Sequence, residues 1–325
     1  MNTSIEQFIV THTSAQRVEH SEQVQALWSG YGEIRRVYLS GAECSSVIVK
    51  QVVYPSQSHH PRGWNSDLSH QRKLRSYQVE MAWYQHWAEQ CDQHCRVPRC
   101  YGWQQTEQGM LLLLEDLNAA GWDRRYSELD VEKVKSCLAW LAAFHGRYLL
   151  QSPEQLWPIG SYWHLSTRPD EWQAMAEHPL KKLAKKIDQQ LNSARFQTLI
   201  HGDAKVANFC FSAAQDTVAA VDFQYTGGGC GIKDVMYLLG SCLQSEQIEE
   251  HQEALLRYYF KALLQACAPS IDGVALEAEW RHLYGFCWAD FQRFLLGWMP
   301  GHPKINTAMR RHSDAVVEQL SSVNT

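Results

Sequence analysis

The sequence predicts an α+β protein in two lobes: an antiparallel sheet carrying one helix over residues 1–117, then a larger, mainly helical lobe over 118–325. Three observations lead there. Runs of β-branched and aromatic residues, SSVIVKQVV above all, fill the first third and suit a pleated, half-buried surface. Past Asn118-Ala119-Ala120-Gly121 the apolar residues recur at helical spacing, which puts the boundary near Leu117. Two short apolar runs, 199–201 and 218–221, then interrupt the helical part, and polar residues follow each at once on loops where side chains can converge.

The elements follow in order. Residues 28–31, 34–39 and 45–53 read as strands of an antiparallel meander, with Ser40-Gly41-Ala42-Glu43 as a turn. Tyr77, Met81, Tyr84 and Ala88 share one helical face over 74–91. Strands return at 97–103 and 110–114. A long helix is expected over 131–150, behind Ser127 and Asp130 as caps. Lys181, Lys182, Lys185 and Lys186 read as the solvated face of a further helix, and 247–268 and 276–299 as helices with apolar stripes.

Bulk properties exclude several classes of function. With 325 residues, 45% of them hydrophobic, the chain can bury its core without covalent staples. A formal net charge of -5 provides no positive field for a nucleic-acid backbone, so no nucleic-acid partner is expected. The ten cysteines are scattered from Cys44 to Cys287, and the N-terminus lacks the basic start and apolar run of a signal peptide. They read as reduced thiols of a cytoplasmic protein. Cys91, His94, Cys95 and Cys100 lie close together but lack the paired CxxC spacing of zinc modules. The most hydrophobic stretch, MLLLL, falls far short of the roughly 18 apolar residues of a membrane span.

The chemistry is concentrated in LIHGDAKVANFCF, residues 199–211, and VAAVDFQ, residues 218–224. Phosphoryl transfer needs a carboxylate to orient the attacking hydroxyl and accept its proton, oxygen ligands for Mg²⁺, and cations to offset the charge of the transferring group. Asp203 is the candidate base, Asn208 and Asp222 the metal ligands, and Lys205 the cation. DxKxxN is the spacing of a protein-kinase catalytic loop, and DFQ stands where DFG would.

The first lobe offers matching residues. Lys50 ends SSVIVK in a strand, where an interior charge requires a partner, and Glu80 on the following helix is the natural one. LLLLEDL, residues 111–117, suits a hinge whose Glu115 carbonyl and Leu117 amide bind the adenine edge. Gly30 and Gly32 could bring a hairpin's amides to the phosphates, although the third glycine of GxGxxG is absent.

These residues resemble the aminoglycoside phosphotransferase and choline kinase superfamily, and within it the ecdysteroid-kinase-like branch. The resemblance spans most of the chain, through VIVK, VEMAWY, LEDL, HGDAKVANF, VDFQYTGGGCGIKDVMYLL and FLLGWMPGH. It implies a two-lobed, protein-kinase-like fold and ATP-dependent phosphorylation of a small-molecule hydroxyl, with Asp203 as base and Asn208 and Asp222 on Mg²⁺. Asp234 would tie the catalytic loop to the next helix. A monomer is expected.

Two rivals are weaker. A protein kinase needs a long activation segment, but only about ten residues separate Phe223 from Asp234 and no APE follows. A nucleotide-binding module without turnover would be expected to have lost one of Lys50, Asp203, Asn208 and Asp222, and all four are present.

For the acceptor, Trp280, Tyr284, Trp288, Phe291, Leu295 and Trp298 form one helical stripe that reads as core or as an aromatic pocket, with Asp290 supplying charge. Trp163 reads as a surface-loop residue or as a wall of that pocket. An apolar, sterol-like or polyketide-like alcohol would use aromatic faces. A cationic alcohol such as choline or an aminoglycoside would need several carboxylates converging near Asp203. The resemblance favours the apolar alcohol.

Overall fold

The computed structural model describes residues 3–27, 30–54, 67–214 and 217–322. Two compact units result: Met1–Asp92 with Arg96–Arg125 and Cys210–Gln224, and Gln93–Cys95 with Tyr126–Phe209 and Tyr225–Thr325.

The first unit contains α1 (Thr3–Thr13), β1 (Arg17–Ala26), β2 (Gly32–Ser40), β3 (Ser46–Val53), α2 (Asp67–His86), β4 (Cys100–Thr106) and β5 (Gly109–Glu115). Its sheet runs β1-β2-β3-β5-β4, antiparallel throughout. Alternation along the central strands explains the burial of both faces. Val47 and Val49 on β3, Val37 and Leu39 on β2, and Leu111 and Leu113 on β5 point one way, into a cluster closed by Ile9 of α1. Lys50, paired in register with Leu112, points the other way. The unbroken apolar run of β5 follows, since neither face meets water.

Two features differ from the expected elements. The first strand is Arg17–Ala26, not 28–31; it is an almost wholly exposed edge strand that pairs with β2, so it carries no apolar alternation to read. Trp28 and Ser29 lie outside the described residues, while Gly30 and Tyr31 belong to the turn into β2. Gly32 at φ +123° must be glycine, because a Cβ there would fall 2.1 Å from the Gln51 carbonyl oxygen. The helix α1, which the hydrophobic pattern does not announce, covers the second sheet face.

The ribbon of β7 (Phe209–Phe211) and β8 (Val218–Ala220) ends in Asp222. Cys210 and Ala219 bury against Leu117, and Arg124 bridges Phe211.

The second unit contains α3 (Val131–Arg147), α4 (Pro169–Ala174), α5 (Pro179–Asn192), β6 (Thr198–Ile200), β9 (Gly227–Gly229), α6 (Ile232–Cys242), α7 (Ser245–Ala266), α8 (Gly273–Trp298) and α9 (Thr307–Ser322). Asp130 caps α3 by accepting from the Lys133 amide at 2.9 Å. On α5, Leu180, Ala184, Ile187 and Leu191 are buried and the lysines lie on the wetter side. The aromatic stripe of α8 is core: Trp280, Tyr284, Trp288, Phe291 and Leu295 are buried, and Trp298 partly so. The short β6 pairs antiparallel with β9 and itself carries the chain out to the HGD loop. Among the described residues, no helix is long and apolar enough to cross a membrane.

Candidate active site

In the first unit, the β3 lysine meets the α2 carboxylate. Lys50 Nζ donates to Glu80 Oε2 at 2.5 Å, with the side chains 5% and 3% exposed. Burial pushes the Glu80 carboxyl up, Lys50 pulls it back, and the charge of Asp222 adds to the rise. The pair is costly to build and more costly to break.

Asp222 has φ +70°, a left-handed conformation that is rare outside glycine and marks strain retained for a purpose. Its neighbours over-determine it. Phe223 stacks on Trp83 of α2, with centroids 4.5 Å apart. Gln224 donates from Nε2 to Asp222 Oδ1 at 2.8 Å, and its own Oε1 accepts from Lys73 Nζ at 3.0 Å and Ser76 Oγ at 3.2 Å. Where a DFG motif would have a flexible glycine, this chain has an amide that clamps the aspartate to α2. Lys73, Ser76 and Gln224 carry no motif signal of their own; DFQ was the available hint.

Of the adenine-edge candidates, Glu115 ends β5, its side chain accepting from Arg96 at 2.5 Å and from the Arg99 amide at 3.0 Å. Leu117 is buried, and its carbonyl accepts from the Trp122 amide at 2.8 Å. Between them Asp116 is fixed by Arg36 Nε at 2.6 Å and Ser46 Oγ at 2.7 Å. Gly30 and Gly32 both have positive φ, at the turn into β2.

In the second unit, His201-Gly202-Asp203 leaves β6 as a tightly pinned loop. Gly202 has φ +77°, and a Cβ there would fall 2.1 Å from the Tyr225 carbonyl oxygen. The buried Asp234, near the start of α6, accepts from the His201 amide at 2.6 Å and the Gly202 amide at 3.0 Å. It also lies 3.2 Å from His145 Nε2, whose Nδ1 meets the Tyr259 hydroxyl at 2.7 Å.

The loop delivers Asp203 into a group of donors. Lys205 Nζ reaches Asp203 Oδ2 at 2.8 Å, and Asn208 Nδ2 donates to the Asp203 carbonyl at 2.8 Å and to Oδ2 at 3.2 Å. Tyr237 of α6 packs near this group, its hydroxyl 3.0 Å from that of Tyr162, whose amide donates to the Gly202 carbonyl at 3.3 Å. Burial raises the Tyr237 hydroxyl well above its ordinary pKa, so it stays a phenol. With its amide nitrogen used, Asn208 retains its carbonyl oxygen as a hard ligand.

The weaker acceptor candidates are structural in their contacts. Trp163 is fully buried rather than on a surface loop, and its indole donates to Asp290 Oδ2 at 3.0 Å. Asp290 is also bound by Arg293, at 2.8 Å, with Lys233 at 3.9 Å. Trp288 is buried and stacks on His312 of α9. Trp298, half-buried, stacks on Phe294 and His302. Lys304, by contrast, lies just past FLLGWMPGH and is not marked by any sequence motif.

Together the antiparallel sheet with its lysine–glutamate pair and the helical unit with its HGD loop define the kinase-like α+β class. The chain belongs to the ecdysteroid kinase-like family, whose model matches residues 34–152 and 161–269. No curated protein matches it in sequence. Among solved structures it is similar to a microcompartment-associated aminopropanol kinase, with a TM-score of 0.54, 16% identity, and coverage of 99% of this chain and 98% of that one. Amicoumacin kinase in complex with AMP-PNP, Ca²⁺ and Ami gives 0.54 at 14% identity, covering 98% and 96%. Plasmodium vivax ethanolamine kinase gives 0.50 at 10% identity, covering 92% and 81%. At these identities the likeness establishes the fold.

The Lys50–Glu80 pair leads to a prediction. Lys50→Met is expected to cost about 3–5 kcal/mol at neutral pH, because it leaves Glu80 charged and buried without a counter-ion. Since burial already raises the Glu80 pKa, the cost should shrink as pH falls through that raised value and the carboxyl protonates. Urea unfolding of wild type and variant at neutral and acidic pH checks it; an equal cost at both would remove Glu80 as the cause.

Proposed function

We propose that the protein is a Mg²⁺- and ATP-dependent phosphotransferase acting on a hydroxyl group of a small molecule. The observation that carries this reading is Asp203: an aspartate on a loop pinned through Asp234, its carboxylate aimed by Lys205 and Asn208. Asp203 orients the acceptor hydroxyl and takes its proton as the new O–P bond forms and the bond to ADP breaks. Lys205 offsets charge on the transferring group.

Lys50, fixed by Glu80, binds the α- and β-phosphates. Glu115 and Leu117 hold the adenine edge, and the turn with Gly30 and Gly32 covers the phosphates. The donor set fits Mg²⁺: the Asp222 carboxylate and the Asn208 carbonyl are hard oxygens of the kind that cation selects alongside phosphate and water. When bound, the ion neutralises charge between the phosphates. The assignment of all these residues to one reaction rests on the order of their motifs along the chain and on family membership.

The test is ADP release from Mg²⁺-ATP across a panel of hydroxyl compounds. Acceptor-stimulated release that is lost with EDTA supports the reading. Tight nucleotide binding with no stimulation by any acceptor would favour a binding module instead.

A further inference from the structure

The carboxylates that could attract a cationic acceptor in the second unit are already committed. Asp290 is neutralised by Arg293 and Lys233 and Glu171 by Arg168 at 3.0 Å, while Asp188 lies 3.1 Å from His164 Nε2. Asp234 is occupied by the loop amides. The charge near Asp203 without such a commitment is positive. Lys304, in the segment between α8 and α9, is partly buried, and its Nζ lies 4.8 Å from the Tyr237 ring centroid and 5.9 Å from that of Phe291. Tyr237 lies 3.0 Å, hydroxyl to hydroxyl, from Tyr162, whose amide donates at 3.3 Å to the carbonyl of Gly202, the residue before Asp203.

The ammonium has no ion pair or side-chain hydrogen bond among the described residues. Aromatic faces compensate it in part. Desolvation lowers its pKa, and the charge of Asp203 opposes that fall, which places the two groups within electrostatic reach. Lys205 already contacts Asp203 directly and is the cation for the transferring phosphoryl group. A second cation, supported on the Tyr237 and Phe291 rings, is left for another anion.

We propose that Lys304 is a specificity-determining residue that binds an oxyanion on the acceptor, so that the substrate is an alcohol bearing a carboxylate, sulfate or phosphate group rather than an amine. This rests on the phosphotransferase reading. The buried rings of Tyr237 and Phe291 hold the ammonium in place from beneath, with Tyr162 packed against both.

The experiment is ADP release with hydroxy acids, each paired with its neutral amide and its amine analogue, for wild type, Lys304→Met and Lys304→Arg. Expected is a KM for the acid about tenfold or more below that of the amide, as a charge-assisted hydrogen bond supplies, with the amine poorest. Lys304→Met should raise the acid KM to that of the amide and leave the KM for ATP unchanged, and Lys304→Arg should restore most of the difference. Preference for amines, an unchanged acid KM in Lys304→Met, a rise confined to the KM for ATP, or no turnover of any hydroxy acid overturns the proposal. Thermal stabilisation by Mg²⁺-ATP in the same samples separates the two levels. If it persists without turnover of acids, the oxyanion assignment alone fails; if it is absent, the phosphotransferase reading fails first.

Discussion

Replacing Asp203 with alanine is expected to lower the rate of phosphoryl transfer by about 10²–10⁴-fold, the usual contribution of a positioned general base, while ATP binding is retained. The fold should tolerate the change. Asp203 is buried but its partner Lys205 is 37% exposed, so the lysine left behind is solvated by water rather than stranded, and Asn208 keeps its bond to the residue-203 carbonyl. Single-turnover ADP formation with saturating acceptor measures the effect free of product release. A variant with normal turnover would move the base elsewhere and take the reading of the HGD loop with it.

A large loss of stability is expected at Asp234. Its carboxylate is fully buried and accepts from two backbone amides, with a histidine nitrogen at 3.2 Å. Asp234→Ala leaves those donors unsatisfied at about 1–3 kcal/mol each, so a total of about 3 kcal/mol or more is expected. Asp234→Asn keeps one acceptor oxygen but turns an N–H₂ toward a donor, and should fall between wild type and alanine. Differential scanning calorimetry checks the order. Wild-type stability in Asp234→Ala would mean the HGD loop is held by other contacts.

Much of this was legible because some chemistry forces its own spacing. HGDAKVAN and VDFQ set two aspartates, a lysine and an asparagine at intervals that structural roles would not require together, which is why they were read as base, cation and metal ligands. Lys50 pointed to Glu80 because a charge inside a strand must be paired, and the pair is present at 2.5 Å. The strands β2, β3 and β5 and the helices α3, α7 and α8 were readable from apolar periodicity.

Other parts left no such trace. The edge strand β1 has both faces in water and therefore no alternation. In α8 the periodicity revealed an apolar stripe, but core and pocket share a period, and burial alone identified the core. Trp163 looked like a loop residue and is a buried donor to Asp290, because the partner that makes a buried indole tolerable lies 127 positions away. Gln224 bonds Lys73 and Ser76, and Lys304 packs on Tyr237; these partners are distant in sequence, so no local pattern announces the contacts.

The most direct test of the central claim is thermal unfolding of wild type and Asp222→Ala, each with and without saturating Mg²⁺-ATP. A ligand at a hundred times its Kd stabilises the folded state by about 2.7 kcal/mol. The account predicts a Mg²⁺-dependent rise in Tm for wild type that is lost in Asp222→Ala. No rise in wild type, or an equal rise in both proteins, would contradict it.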